Sequence, residues 1–191
     1  MDIDAFVRPI FTALERSDRV RALFLSGSHG RGTADRFSDV DFLAVAKPED
    51  HAEAARLWRG ALEERHDIVF WNEVQARDVF NAITRDWIRC DLSVQSPETV
   101  GRKARDLLKP LFDRDGIWDG LPPSLPPARP DPARVLALVR EFIRVLGLLV
   151  VGLGRSELVL LVRGTELLRG LLTDLMLEDC TDADRGGALH L

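Results

Sequence analysis

Twelve residues, Leu121 to Pro132 (LPPSLPPARPDP), contain six prolines. Proline donates no backbone hydrogen bond and holds φ near a single value, so neither a helix nor an interior strand runs through such a segment. The stretch therefore divides the chain into parts that must fold on different patterns. We place one domain over residues 1–120, a stiff extended linker over 121–132 and a second domain over 133–191. Of the 191 residues, 46 % are hydrophobic, enough to bury a core in a domain of ordinary size.

Before the linker, the apolar spacing alternates between the periods of helix and strand. Ile3, Phe6, Val7, Ile10, Phe11 and Leu14 recur at helical intervals and are closed off by Ser17-Asp18. Val20 to Ser26 (VRALFLS) and Val40 to Ala46 (VDFLAVA) are short apolar runs that read as strands. Pro48 opens a helix through Glu64, Asp67 to Trp71 and Ile88 to Val94 supply further strands, and Leu107 to Phe112 adds an edge strand. The fold class expected is α+β, a small mixed sheet with flanking helices followed by an all-helical part.

From Ala133 to about Ala183 the pattern is helical throughout, with Gly152 and Gly154 marking a break between two long helices. These helices are apolar on more than one face. They must pack on each other, on the sheet domain or on a second subunit, and a homodimer and a single-subunit core account for the pattern equally well. Arg140, Glu141, Arg144, Arg155, Glu157, Arg163, Glu166 and Arg169 interrupt the apolar run, so no membrane span is expected.

Composition excludes some partners. With 31 acidic against 26 basic residues the net charge is -5, without the basic footprint that phosphate neutralisation on duplex nucleic acid requires. A nucleic-acid acceptor is disfavoured. The opening MDIDAFVRPIF carries acids where a secretory signal carries bases, and Cys90 and Cys180 stand far apart in no metal-binding spacing. A cytoplasmic protein with reduced thiols is expected.

The segment that carries chemistry is Leu25 to Val45, LSGSHGRGTADRFSDVDFLAV. Glycines at 27, 30 and 32 permit close backbone approach, which lets amide groups and the start of a helix face an anion. A triphosphate meets that requirement. Ser28 and Ser38 offer hydroxyl donors to phosphate oxygens, and Arg31 a permanently charged planar fork. Asp39 and Asp41, two apart on a strand, emerge on one face with α-carbons about 6.6 Å apart. Two hard oxygen ligands so placed suit Mg²⁺, which takes a few carboxylates plus substrate phosphates, and paired metals stabilise both oxygens of an in-line displacement. Asp91, in the later strand, would complete the group as a second-metal ligand or as the base for an acceptor hydroxyl.

GSHGRGTADRFSDVDFLAV resembles the GS-x10-DxD signature of the DNA polymerase beta-like nucleotidyltransferase superfamily. The later LeuPheAspArgAspGly at 111 to 116, the proline-rich connector and the helical stretch beyond are similar to the lincosamide and aminoglycoside nucleotidyltransferases. Those relatives run longer, and this sequence ends at GlyGlyAlaLeuHisLeu without an obvious final helix, which suggests a shortened helical domain. The resemblance implies Mg²⁺-dependent transfer of a nucleoside monophosphate from an NTP, expected to be ATP, to a hydroxyl of a small molecule. By it Gly27, Ser28, Arg31 and Ser38 would contact the triphosphate, while Asp39, Asp41 and, less securely, Asp91 would bind two Mg²⁺ ions. The acceptor, an aminoglycoside or lincosamide, would lie in a groove between the two domains. A protein- or RNA-modifying transferase of toxin-antitoxin type and a silent nucleotide-binding protein are the alternatives.

Several residues have plainer readings. Asp113, Asp115 and Gly116 form a natural turn. Trp58, Trp71, Trp87 and Trp118 are expected in the core. Arg155 and Glu157 divide evenly between structural pairing and a place facing a ligand, and His29 is given no role.

Overall fold

The computed structural model describes residues 2–74 and 77–180. The chain divides into two compact units, one ending at Leu125 and the other beginning at Pro126, a boundary inside the proline-rich stretch.

The first unit is built on one six-stranded sheet. Its strands are β1 (Val20–Leu25), β2 (Val40–Ala46), β3 (Ile68–Val74), β4 (Val79–Thr84), β5 (Arg89–Gln95) and β6 (Lys109–Asp113), ordered β3-β4-β5-β2-β1-β6. Four of the five pairings are antiparallel, and the exception is β2 with β5, which run parallel. The sheet is therefore mixed, as expected, and β6 is one of its two edge strands. Strand β4 was not anticipated. Its residues alternate half-buried and buried, a regular strand pattern, but Asp78 at φ 48° rather than a glycine precedes it.

Helices α1 (Ile3–Glu15) and α3 (His51–Glu63) cover one face. Asp2 starts α1 by accepting from the backbone N–H groups of Asp4 and Ala5 at 3.1 and 3.3 Å, satisfying donors that the first turn leaves open. Pro48 starts a 3-10 turn, Pro48–Asp50, ahead of α3. Phe6, Ile10 and Leu14 of α1 meet Ala54, Trp58 and Leu62 of α3 over Val20, Phe42 and Leu92 of the sheet, all at 5 % exposure or less. Alternation along β2 then decides the opposite face: Val40, Phe42 and Ala44 enter this core, while Leu43 and Val45 enter a second cluster with Phe24, Val100 and Leu108. Asp41 shares the phase of Leu43 and so belongs to the side away from α1 and α3.

Short helices α2 (Gly27–Arg31), α4 (Pro97–Val100) and α5 (Ile117–Gly120) fill the connections. Asp113 and Gly116 make a turn, with the Asp113 carboxylate accepting from Asp115 N and Trp118 N and Gly116 at φ 65°. Asp115 pairs with Arg21. Trp58 is fully buried and Trp71 packs beside it. The expectation for Trp87 is wrong: it sits at φ 60° in a turn and is 78 % exposed.

The second unit contains α6 (Pro132–Gly154) and α7 (Leu158–Asp179), joined by a tight turn with Ser156 at φ 58°. Asp131 caps α6 by accepting from Ala133 N at 2.9 Å, and its own N–H donates to Glu178 at 2.9 Å. The helices approach closely where glycines face leucines. A Cβ on Gly164 would lie 2.4 Å from Leu149 Cδ2, and one on Gly152 would lie 3.2 Å from Leu161 Cδ2. Among the described residues no helix is long and apolar enough to cross a membrane.

Candidate active site

The site begins where β1 ends. Ser26 N donates to Asp41 O at 2.9 Å, carrying the β1–β2 ladder one residue further before the chain bends into α2. Gly27 makes that bend at φ 57°, a left-handed conformation that side chains resist. It also stands against Asp41, where a Cβ would fall 1.9 Å from Oδ2. Gly30 is confined by backbone, since its Cβ would lie 2.3 Å from Leu107 O and 2.8 Å from Leu25 O. The glycines at 27 and 30 are thus required by the close approach of Asp41 and of the chain's own backbone.

Within this turn Ser28 Oγ and His29 Nε2 are buried, and neither has a hydrogen-bond partner among the described residues. A buried hydroxyl left unpaired costs free energy, and an incoming acceptor oxygen would relieve it. His29, given no role from sequence, is held below the usual histidine range chiefly by burial; Asp39 opposes that shift and Lys109 adds to it.

The parallel pairing of β2 with β5 assembles the acids. Asp41 lies directly in register with Asp91. On the next strand Asn81 is in register with Asp91, and beyond it Asn72, whose amide donates to Asn81 Oδ1 at 3.0 Å. A polar row thus crosses four strands of the face away from α1 and α3. Asp39 lies one residue ahead of β2, and its carboxylate pairs with Arg89 at 3.3 Å. Sequence reasoning missed Arg89. It stands two residues before Asp91, as Asp39 stands two before Asp41, so the same register brings it opposite Asp39.

Charge at the centre is unbalanced. Burial, and then the neighbouring carboxylates of Asp39 and Asp91, push the Asp41 carboxyl up to about 6, against the opposing pull of Arg89 and Arg31. Arg31, at the exposed end of α2, is therefore felt at the acids although it lies on another element. Ser38 is not brought to them in the same way. Its hydroxyl donates to Asp35 Oδ1 at 3.1 Å and accepts from Asp35 N at 2.9 Å, closing the loop just ahead of Asp39.

These residues fit a divalent cation on the chemistry of the donors: hard oxygens, two of them in register, with negative charge in excess. Among the described residues, no three His, Cys, Asp or Glu side chains form a ready-made metal group. Mg²⁺ is usually held by one or two carboxylates together with substrate phosphates. Arg155 and Glu157 line, with Arg144 and Arg163, a groove of about 530 Å³ within the second unit.

The model of the streptomycin adenylyltransferase family matches residues 3–178. The chain belongs to that family. No curated protein matches it. Among solved structures it is similar to Cid1, an RNA terminal uridylyl transferase, at 15 % identity over 52 % of this chain and 32 % of that one, with a TM-score of 0.41. It is also similar to terminal uridylyl transferase 4 from Trypanosoma brucei with bound GTP, at 18 % identity over 52 % and 36 %, with a TM-score of 0.38. The chain spans about a third of the length of these proteins.

Proposed function

We propose that the enzyme transfers a nucleoside monophosphate from an NTP, ATP in the first instance, to a hydroxyl of a small molecule, with Mg²⁺ as its metal. One observation carries this reading: Asp41 lies beside Gly27 and in register with Asp91, its carboxyl raised to about 6 by burial and by its acidic neighbours. The choice of acceptor class is supported by the description of the matching family, streptomycin adenylyltransferase.

Asp41 and Asp39 would hold Mg²⁺, which on binding supplies positive charge against the triphosphate and the acid cluster. Ser28, with its unpaired hydroxyl, donates to a phosphate oxygen. Arg31 offsets negative charge on the departing side. Asp91 takes the proton of the acceptor hydroxyl as that oxygen bonds to the α-phosphorus; the α–β bridging bond breaks and pyrophosphate leaves. Holding the reactants in line and matching charge to the transition state carries the rate, and no covalent enzyme intermediate is involved. An acceptor of the aminoglycoside class would make the protein a cytoplasmic antibiotic-modifying enzyme.

Pyrophosphate release, followed with Mg²⁺ and each ribonucleoside triphosphate across aminoglycosides including streptomycin and across lincosamides, tests the proposal, with Asp41→Asn as the blank. Release that depends on an acceptor and vanishes in the blank is the expected result. Release that is independent of any small acceptor but rises with added RNA would overturn it.

A further inference from the structure

Helix α6 carries two apolar stripes, and only one of them meets α7. The less exposed stripe is Val135, Leu138, Phe142, Val145, Leu149 and Gly152, steps of three and four residues that mark a coiled-coil seam. One residue further round runs a second stripe with the same steps: Leu136, Val139, Ile143, Leu146, Val150 and Leu153. All six are aliphatic, and they are 49, 38, 63, 48, 70 and 69 % exposed. At 1.5 Å rise per residue the open stripe is about 25 Å long, an apolar patch of a size that soluble monomers seldom leave bare. On α7, Val162, Leu172 and Met176 are likewise exposed, each one residue past a half-buried leucine of that helix.

We propose that this stripe is the interface of a homodimer, formed by α6 against α6 of a second copy in antiparallel orientation about a two-fold axis. The order of side chains along the stripe carries the argument. Steps of three, four, three, four and three read the same in both directions, and so, nearly, do the residues. Reversed on itself, the stripe sets Leu136 against Leu153 of the second copy, Val139 against Val150 and Ile143 against Leu146. A two-fold interface must be complementary to itself in this way, because each residue's partner meets that residue in return.

Charge agrees with the pairing. No charged residue lies in the stripe itself. Glu141 and Arg144 already neutralise one another through two hydrogen bonds of 2.6 and 2.7 Å. Two such hairpins joined through α6 make a four-helix arrangement with the packing rhythm already used between α6 and α7. The inference is independent of the proposed chemistry.

Light scattering on the full chain tests it. The expected mass is twice the chain mass of 21.4 kDa, falling to that of a single chain in Ile143→Glu/Leu146→Glu while helical circular dichroism stays unchanged. A second readout does not depend on tolerating the glutamates. Val139→Cys/Val150→Cys should oxidise to a disulfide-linked dimer, whereas Leu136→Cys/Val150→Cys should not. A monomeric wild type at concentrations up to tens of micromolar overturns the proposal, whatever else binds the stripe. So does a dimer that survives the double glutamate variant, or cross-linking without preference between the two cysteine pairs.

Discussion

Gly27 and Asp41 touch so closely that a single methyl group cannot be placed between them, a Cβ on the glycine falling 1.9 Å from the aspartate Oδ2. Gly27→Ala must therefore displace the carboxylate and also force alanine into φ 57°. We expect turnover to fall on the order of 100-fold, with a stability loss of about 1–2 kcal/mol from the backbone conformation. Gly32→Ala is the control: φ is 72° there too, but nothing lies within 4 Å, so it should lose similar stability and keep its turnover. Equal loss of activity in the two variants would remove Gly27 from the site.

Asp41 gives a pH prediction for the metal-free protein. Its carboxyl is raised from 3.8 to about 6, so the folded state disfavours the charged form. Stability from this group is fully present below about pH 4, is lost as pH rises to about 6, and stays lost above that. Each unit is worth about 1.4 kcal/mol, and screening at a half-buried carboxyl reduces the total to roughly 1–2 kcal/mol. Asp41→Asn should thus raise Tm by several degrees at pH 8 and match the wild type at pH 4. A variant that melts lower at pH 8, or a gap that does not close in acid, would contradict the charge imbalance.

Asp91→Asn should separate chemistry from binding. With Asp91 as proton acceptor, turnover falls by about 100-fold or more while half-saturation by the nucleotide stays within about threefold. A variant that recovers full rate when Mg²⁺ is increased would make Asp91 a metal ligand instead.

Cys90 has no exposure, and burial followed by the Asp91 charge pushes its thiol up to about 12. A thiolate is the reactive form, so Cys90 should resist a thiol reagent in the native protein and react as the sheet opens. Mass mapping of labelled cysteines across a urea titration reads this directly. Labelling of Cys90 at native rates comparable to a free thiol would show that the β4–β5 region opens far below the global transition.

Much of the first unit was legible because its elements are local. The spacing of Phe6, Ile10 and Leu14 reports a helix face, and the run from Val40 to Ala46 reports a strand, without reference to anything distant. The glycines of the turn at 27 to 32 and the DxD pair were equally plain. Strand β4 escaped because Asp78, at φ 48°, stands directly ahead of it, where a glycine or Asn-Gly signal would have announced it. The Asp39–Arg89 pair escaped for another reason. It exists only because β2 and β5 are parallel neighbours, a fact of topology that neither segment contains. Ser38 has the residue type of a phosphate contact, yet the nearby Asp35 offers its hydroxyl a local partner, as short polar side chains often find in loops.

The pairing of β2 with β5 also sets an order of events. Strands β3, β4 and β5 follow one another as antiparallel neighbours and close with little separation along the chain, whereas Asp41 and Asp91 are about fifty residues apart and meet only through a parallel closure. Long-range parallel pairings are slow to form because the loop entropy is lost before the contacts return it. The two acids should therefore come together late in folding. On a ribosome, the Gly27 turn and Asp41 would be synthesised well before Asp91, and the pair of acids would be completed in one step, when β5 docks.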